Sequence, residues 1–282
     1  MALQPRTWLF VAGADPAAHR AAARSGADAI ILDLEDFTPP ELRAKARSLS
    51  RFALESWRAA GALATVRINP LETCGEEDLA GVIAGRPDLI LMSKVDTPEK
   101  VVALEKATGG AIGLVPNVES AFGLMNTHEI AKASKRVVAM LVASEDMVAD
   151  LGTERSRGGE ELAYVRSRFL LECRAAGVEA IDCPYTFSDA KGAVADARTA
   201  RRLGYRMKSL VDPSHAKAIN KVFTPDLRRA EKIIAAFEKA RAAGKDRAKV
   251  DGLLVEAPIY TAAKRTVESA GHMRPRPRRK QG

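Results

Sequence analysis

The segment LDLED, Leu32 to Asp36, closes an apolar run that begins at Ile30 and stands just before Pro39 and Pro40, so that Asp33, Glu35 and Asp36 gather where a buried strand should end. Polar residues close other apolar runs in the same way. Arg67 and Asn69 end LATVRIN, Lys94 ends LILMSK, Asn117 and Glu119 close the run in AIGLVPNVE, and Glu145 and Asp146 follow VVAMLVAS. Asp182 lies in VEAIDCPY, and Lys208 and Asp212 lie in YRMKSLVD. Each alone reads as a helix cap or half of an ion pair. Their recurrence points to a shared polar mouth.

Carboxylates mixed with Arg and Lys suit a hard divalent cation and an anionic substrate. Mg2+ is commonly held by one or two carboxylates while keeping waters or substrate oxygens, so Glu119 and Asp146 would suffice. A cation bridging a 2-oxo acid would polarise its carbonyl. Arg67 could clamp the substrate carboxylate with two parallel hydrogen bonds, a geometry Lys cannot copy. Lys94 could instead form a Schiff base, provided it is desolvated. Histidine is scarce: His19, His128, His215 and His272 show no HExxH or paired spacing, which argues against a zinc site or a Ser-His-Asp triad. His19 and His128 fall in predicted helices and read as surface or packing residues, whereas His215 stands near the eighth strand end. Cys183 has no His partner nearby in sequence and reads as a packed thiol.

The elements that must carry these residues form a rhythm. WLFVAG, AIILDLE, LATVRIN, LILMSK, AIGLVPN, VVAMLVASE, VEAIDCPY and YRMKSLVD alternate with helical stretches such as PPELRAKARSLSRFALESWRAAG, whose prolines suit a helix start and whose Gly61 suits its stop. Eight such rounds predict an α/β chain forming a closed (β/α)8 TIM barrel over residues 1–224, whose strand C-termini converge on one face. An open doubly wound sheet is the alternative, but VAGADPAAH lacks GxGxxG and no GxxxxGK[ST] occurs. Additional C-terminal helices, DLRRAEKIIAAFEKARAAG and EAPIYTAAKRTVESAG, flank a polar segment around residues 244–252. They predict an extension over 225–271 that acts as a lid or subunit contact, followed by a basic disordered tail over 272–282.

The chain has 282 residues and a formal charge of +8, but Arg274, Arg276, Arg278, Arg279 and Lys280 crowd into the tail. The remaining body is only mildly basic, and no nucleic-acid partner is expected. Three cysteines without CxxC spacing, and no secretory leader, predict free thiols in a cytoplasmic protein. The apolar runs fall short of the roughly 18 residues a membrane span needs.

On these motifs the sequence resembles the citrate lyase beta-subunit and malyl-CoA lyase superfamily, the HpcH/HpaI aldolases. RTWLFVAG, ADAIILDLEDFTPPELRAKAR, VRINP, SKVDTPEKV, VPNVESAFGLMNTHEIAKAS, SEDMVADLG, RAAGVEAIDCPY and NKVFTPDLRRAEKIIAAFEKA follow in family order. The resemblance implies Mg2+ held by Glu119 and Asp146, with Glu35 and Asp36 orienting metal waters as part of the catalytic set. It implies substrate binding by Arg67 and Glu119, joined by Arg6 and Lys94. Glu256, in LVEAPIY, stands where several lyases carry a catalytic Asp. The reaction implied is cleavage or formation of a 3-hydroxyacyl-CoA such as citramalyl-CoA or malyl-CoA, with acetyl-CoA and a 2-oxo acid as the other partners. Homotrimers or hexamers are expected. The chain departs from the family at Ala12, Ser93, Ser144, Glu145, Asp212 and His215. Two other readings are a citrate lyase beta chain acting on a citryl thioester of an acyl carrier protein, and a non-catalytic regulatory barrel.

Overall fold

The apolar runs become the strands Thr7–Ala12 (β1), Ala29–Asp33 (β2), Leu63–Ile68 (β3), Leu89–Met92 (β4), Gly113–Val118 (β5), Ala139–Val142 (β6), Glu179–Asp182 (β7) and Met207–Leu210 (β8). In this computed structural model, which describes residues 5–272, all eight pair in parallel and close into a barrel, with β1 bonded to both β2 and β8. The expected (β/α)8 architecture is therefore the observed one. Parallel strands covered on both faces have no polar side, which is why they read as nearly unbroken Val, Ile and Leu.

Helices cover the barrel from outside: Pro16–Ser25 (α1), Arg43–Ala59 (α2), Glu76–Val82 (α3), Pro98–Thr108 (α4), Ala121–Met125 (α5), Thr127–Lys132 (α6), Glu145–Asp150 (α7), Ala163–Ala176 (α8), Ala190–Leu203 (α9) and Ala216–Phe223 (α10). Local chemistry sets their ends. The Asp15 carboxylate accepts from the backbone N–H groups of Ala17 and Ala18 at the start of α1, and Gly26 ends that helix with φ +80°. Before α2, Pro40–Leu42 make a 3-10 turn, and Gly61 follows the helix with φ +88°.

Strand alternation divides the core in two. Trp8, Phe10, Ile31, Leu91, Leu141 and Ile181 fill the barrel interior, whereas Ile30, Leu32, Val66, Leu54, Trp57 and Phe169 pack between strands and helices. Because side chains alternate with period two, this parity also sorts the polar residues. Asp33, Arg67 and Asn117 share the inward parity of Ile31 and Val115. Asp182 and Lys208 have the outward parity of Ala180 and Leu210.

The chain divides after Phe223. The second unit holds α11 (Leu227–Ala242), the antiparallel hairpin β9 (Ala248–Val250) and β10 (Leu253–Val255), and α12 (Ala257–His272). Ile233, Phe237, Val250, Val255 and Ala263 form its core, with Phe237 stacked on Tyr260 at 4.7 Å between ring centres. The segment expected to be merely polar thus contains most of a hairpin. Asp251 and Gly252, at φ +49° and +81°, supply the two left-handed residues that a tight hairpin turn requires. Of the tail expected over 272–282, His272 closes α12 and residues 273–282 lie outside the described residues. Among the described residues no helix is long and apolar enough to cross a membrane.

Candidate active site

Arg67 is the hub of the mouth. It is 5% exposed, and its position on β3 is in register with Asp33 on β2. Its Nε and Nη2 donate to the two Asp33 carboxylate oxygens at 2.7 and 2.6 Å. The same Nη2 donates to Asp36 at 3.2 Å, while Nη1 lies 3.1 Å from Glu35 Oε2 and 3.7 Å from Glu119 Oε1. Phe10 lies beneath the guanidinium, 4.7 Å from ring centre to Cζ. Burial opposes the Arg67 charge, but these carboxylates outweigh it and raise its pKa.

Asp33 is itself fixed by the loop it starts, accepting from the backbone N–H groups of Glu35 and Phe37 at 3.1 and 3.0 Å. Gly13, at the end of β1, donates its N–H to the Asp33 carbonyl at 3.1 Å. A Cβ there would come within 2.8 Å of that carbonyl oxygen, so only glycine allows the approach.

Lys94 takes the left-handed backbone conformation, φ +54°, which costs a lysine about 1–2 kcal/mol. Its Nζ donates to Glu35 Oε1 at 2.7 Å. That hydrogen bond raises the ammonium pKa. The Schiff-base role requires a desolvated amine, whereas the Lys94 side chain is half exposed and paired with Glu35. Burial drives the Glu35 pKa up, with Arg67 and Lys94 pulling against it.

Glu119 directly follows β5 and is almost wholly buried, yet neither carboxylate oxygen has a hydrogen-bond partner. Burial first, then the charges of Glu35, Asp146 and Asp36, push its pKa up to about 8 despite Arg67. Asp146, on α7, is raised by burial and by Asp36. Among the described residues the mouth therefore gathers Asp33, Glu35, Asp36, Glu119 and Asp146 around two cations, Arg67 and Lys94. Asn117, fully buried one alternation below Glu119, also has both side-chain polar atoms unpartnered.

This donor set fits Mg2+. Surplus hard oxygen ligands, one of them without a hydrogen bond and with its pKa raised by burial and by neighbouring acids, are what a divalent cation would satisfy. Among the described residues no group of three or more His, Cys, Asp or Glu is arranged to hold a metal.

Several expectations need correction. Arg6, expected at the substrate, precedes β1 at the opposite end of the barrel, where its Nε and Nη2 grip Asp28 at 2.7 and 2.9 Å. Asp182 and Lys208 point outward instead of into the mouth. Asp182 receives two hydrogen bonds from Arg166 on α8, at 2.9 and 2.7 Å, and one from Lys208 at 2.7 Å. Asp196 on α9 completes that cluster, 2.8 Å from Arg166 and 2.5 Å from Lys208. Glu145 turns to Thr186 and Arg155, and Asn69 ties Leu34 to Asp78. Glu256 is exposed in the second unit, between β10 and α12.

His19, His215 and the Cys183 thiol are packing groups. His19 Nε2 lies 3.0 Å from the Ala12 carbonyl and its ring meets Trp57 edge-on, while buried His215 lies 3.3 Å from the Ser188 carbonyl. His128 is surface-paired with Glu129, and burial pushes the Cys183 thiol up to about 12. Asp33 is the functional residue that sequence reasoning left without a role. Its signal was present, an acid on the strand beside Arg67 with the same parity.

A parallel barrel with convergent carboxylates and a buried guanidinium at its strand C-termini defines an enzyme of the TIM-barrel class. The particular family follows from comparison. The sequence model of the HpcH/HpaI aldolase/citrate lyase family matches residues 6–213, and the chain belongs to this family of carbon-carbon lyases as a citrate lyase beta-like member. It is 33% identical over 280 residues to citrate lyase subunit beta of Leuconostoc mesenteroides subsp. cremoris, covering 94% of this chain and 93% of that relative. It is 32% identical over 276 residues to a (3S)-malyl-CoA thioesterase of Cereibacter sphaeroides (strain ATCC 17025 / ATH 2.4.3), covering 94% of each. The crystal structure of protein CitE from Mycobacterium tuberculosis, in complex with magnesium, acetoacetate and coenzyme A, superposes with a TM-score of 0.79 at 26% identity, covering 96% of this chain and 100% of that one.

Proposed function

We propose that the chain is a Mg2+-dependent lyase that cleaves, or forms, a 3-hydroxyacyl-CoA of the citramalyl-CoA or malyl-CoA kind, exchanging it for acetyl-CoA and a 2-oxo acid. The observation that carries the reading is Glu119: a buried carboxylate with no hydrogen-bond partner, raised to a pKa of about 8 by burial and neighbouring acids. Such a group is costly in a scaffold and useful as a cation ligand. The Mycobacterium structure with magnesium, acetoacetate and coenzyme A supports the same class of ligands.

In this reading Glu119 and Asp146 hold the cation, which when bound supplies charge stabilisation to the oxygen of the 2-oxo acid. Asp33 occupies the two-pronged edge of Arg67, so the guanidinium offers the substrate Nη1, the nitrogen now shared by Glu35 and Glu119. The half-exposed Lys94 ammonium supplies a second positive charge for the substrate carboxylate. Glu35 and Asp36, both on Arg67, orient water at the mouth. Glu256 is the carboxylate that handles the hydroxyl proton, with the second unit serving as a subunit contact in a homotrimer or hexamer in the cytoplasm. A Glu256→Gln variant should lower turnover without weakening Mg2+ binding.

The citrate lyase beta reading, on a citryl thioester of an acyl carrier protein, is favoured by the likeness to the Leuconostoc subunit. Release of 2-oxo acid from citramalyl-CoA and malyl-CoA, with Mg2+ and with EDTA, separates the two. Metal-dependent release of pyruvate or glyoxylate supports the CoA lyase. Intact CoA thioesters, beside turnover of the carrier-bound citryl thioester, would replace it with the second reading.

A further inference from the structure

A groove of about 280 Å³ lies on the outer helical layer, between the α7–α8 connection and α9. Arg157 and Gly158 line one side, and Ala195, Arg198, Thr199 and Arg202 line the other. The α9 residues recur at intervals of three and four, so they form one stripe, while Ala193, Ala197 and Ala200 bury the opposite face. Small Ala195 and Thr199 leave room between the longer arginines.

The charge of this groove is only partly compensated, since Arg157 is paired with Asp189. Its one acid, Asp196, is already neutralised by Arg166 and Lys208 at 2.8 and 2.5 Å. Arg198 makes no ion pair among the described residues, and Arg202 stands one turn further along the same stripe. Like charges at this spacing repel and destabilise a helix. Favourable alignment with the helix dipole explains Arg202, in the last turn, but not Arg198.

Two of the three guanidinium groups are held in place. Arg202 Nη2 donates to the Thr199 hydroxyl at 2.9 Å. Arg157 Nη1 donates to Asp189 at 2.5 Å, with its guanidinium 4.8 Å from the centre of the Phe187 ring. Asp189 is itself tied to Tyr185 Oη at 2.7 Å and caps α9 through the Gly192 N–H. Fixed planar donors around a small concave space match phosphate oxygens better than mobile ammonium groups would.

We propose that the α9 groove binds a diphosphate group, through Arg198 and Arg202 on one side and Arg157 on the other. Its volume lies just below the roughly 300 Å³ at which pockets for larger organic ligands begin, which suits a diphosphate rather than a whole nucleotide. The phosphates would be those of free inorganic pyrophosphate or of a nucleoside diphosphate whose remaining part stays outside. None of the lining residues belongs to the mouth, so the proposal stands apart from the lyase reading.

The test is isothermal titration of the metal-free full chain at about 50 mM salt, where such contacts are least screened, with inorganic pyrophosphate in one arm and ADP in the other. One saturable site per chain is expected, weakened more than about tenfold in Arg198→Ala/Arg202→Ala and restored only in part by Arg198→Lys/Arg202→Lys, which keeps the charge but loses the fork. Equal affinity in the two arms would identify free diphosphate as sufficient, and tighter ADP binding a nucleoside diphosphate. Both arginines are exposed, so the thermal midpoint of the variants reports directly whether the fold survives. No saturable binding to the wild type, or unchanged binding in the alanine pair, would overturn the proposal.

Discussion

The barrel holds two clusters of buried charge that face opposite ways from its strands. Outside, Arg166 and Lys208 meet Asp182 and Asp196, two cations against two anions, with every charge paired. At the mouth, five carboxylates surround Arg67 and Lys94, and Glu119 has no hydrogen-bond partner for either oxygen. The balanced cluster has its charges paired as folded, with Asp196 Oδ2 lying 2.5 Å from the Lys208 ammonium although it accepts no well-directed hydrogen bond. The unbalanced one carries a surplus of negative charge that a bound cation would offset, and such an imbalance marks a candidate site rather than a structural network.

The outer cluster should be the more sensitive to loss of an acid. Asp182→Asn leaves two buried cations sharing Asp196 and is expected to cost about 3–5 kcal/mol in urea unfolding. A loss below about 1 kcal/mol would erase the contrast. Glu119→Gln at the mouth should behave in the reverse manner. It removes a buried acid that has no hydrogen bond and only a long 3.7 Å contact with Arg67, leaving metal-free stability unchanged or higher, while Mg2+-dependent turnover falls by more than about a hundredfold.

The pH dependence sharpens the same difference. Glu119 is raised from an ordinary 4.5 to about 8, so the native state binds more protons than the unfolded chain between those values. Metal-free stability should therefore fall as pH rises through that window, and Mg2+ affinity should rise over it. Thermal melts with EDTA and with Mg2+ measure both slopes, and Glu119→Gln should flatten the metal-free one.

Smaller effects belong to the edges. Lys94→Met should reduce kcat/KM on an anionic substrate by about tenfold, mainly through a higher KM, because it removes one positive charge beside Glu35. Arg6→Ala, at the opposite end of the barrel, should cost about 1 kcal/mol through its lost contact with Asp28 and leave kcat unchanged. A large kcat loss in that variant would return Arg6 to the substrate.

Much of this was legible in the sequence, and the exceptions have physical reasons. Runs such as AIILDLE and LATVRIN declare strands because burial on both faces removes polar residues from them, and LDLED marked the mouth. Asp182 and Lys208 misled because a strand-end charge points inward or outward according to one residue of register. Counting by two from Ile181 and Met207 assigns both to the helical side. Arg6 was placed by family order, which carries no information about which end of a strand a residue occupies. The β9–β10 hairpin was missed although Asp251-Gly252 between KV and LLV is a strong two-residue turn signal. The bond from Asp33 to Arg67 depends on two strands lying in register, a long-range fact that no local pattern states.

The most direct test of the mouth as a cation site is calorimetric titration of Mg2+ into the wild type and Glu119→Gln at pH 8 without substrate. The expected result is one site per chain in the wild type, with proton release on binding, and no site in the variant. Absence of binding to the wild type, or equal binding to both proteins, would contradict the assignment of Glu119 as a metal ligand.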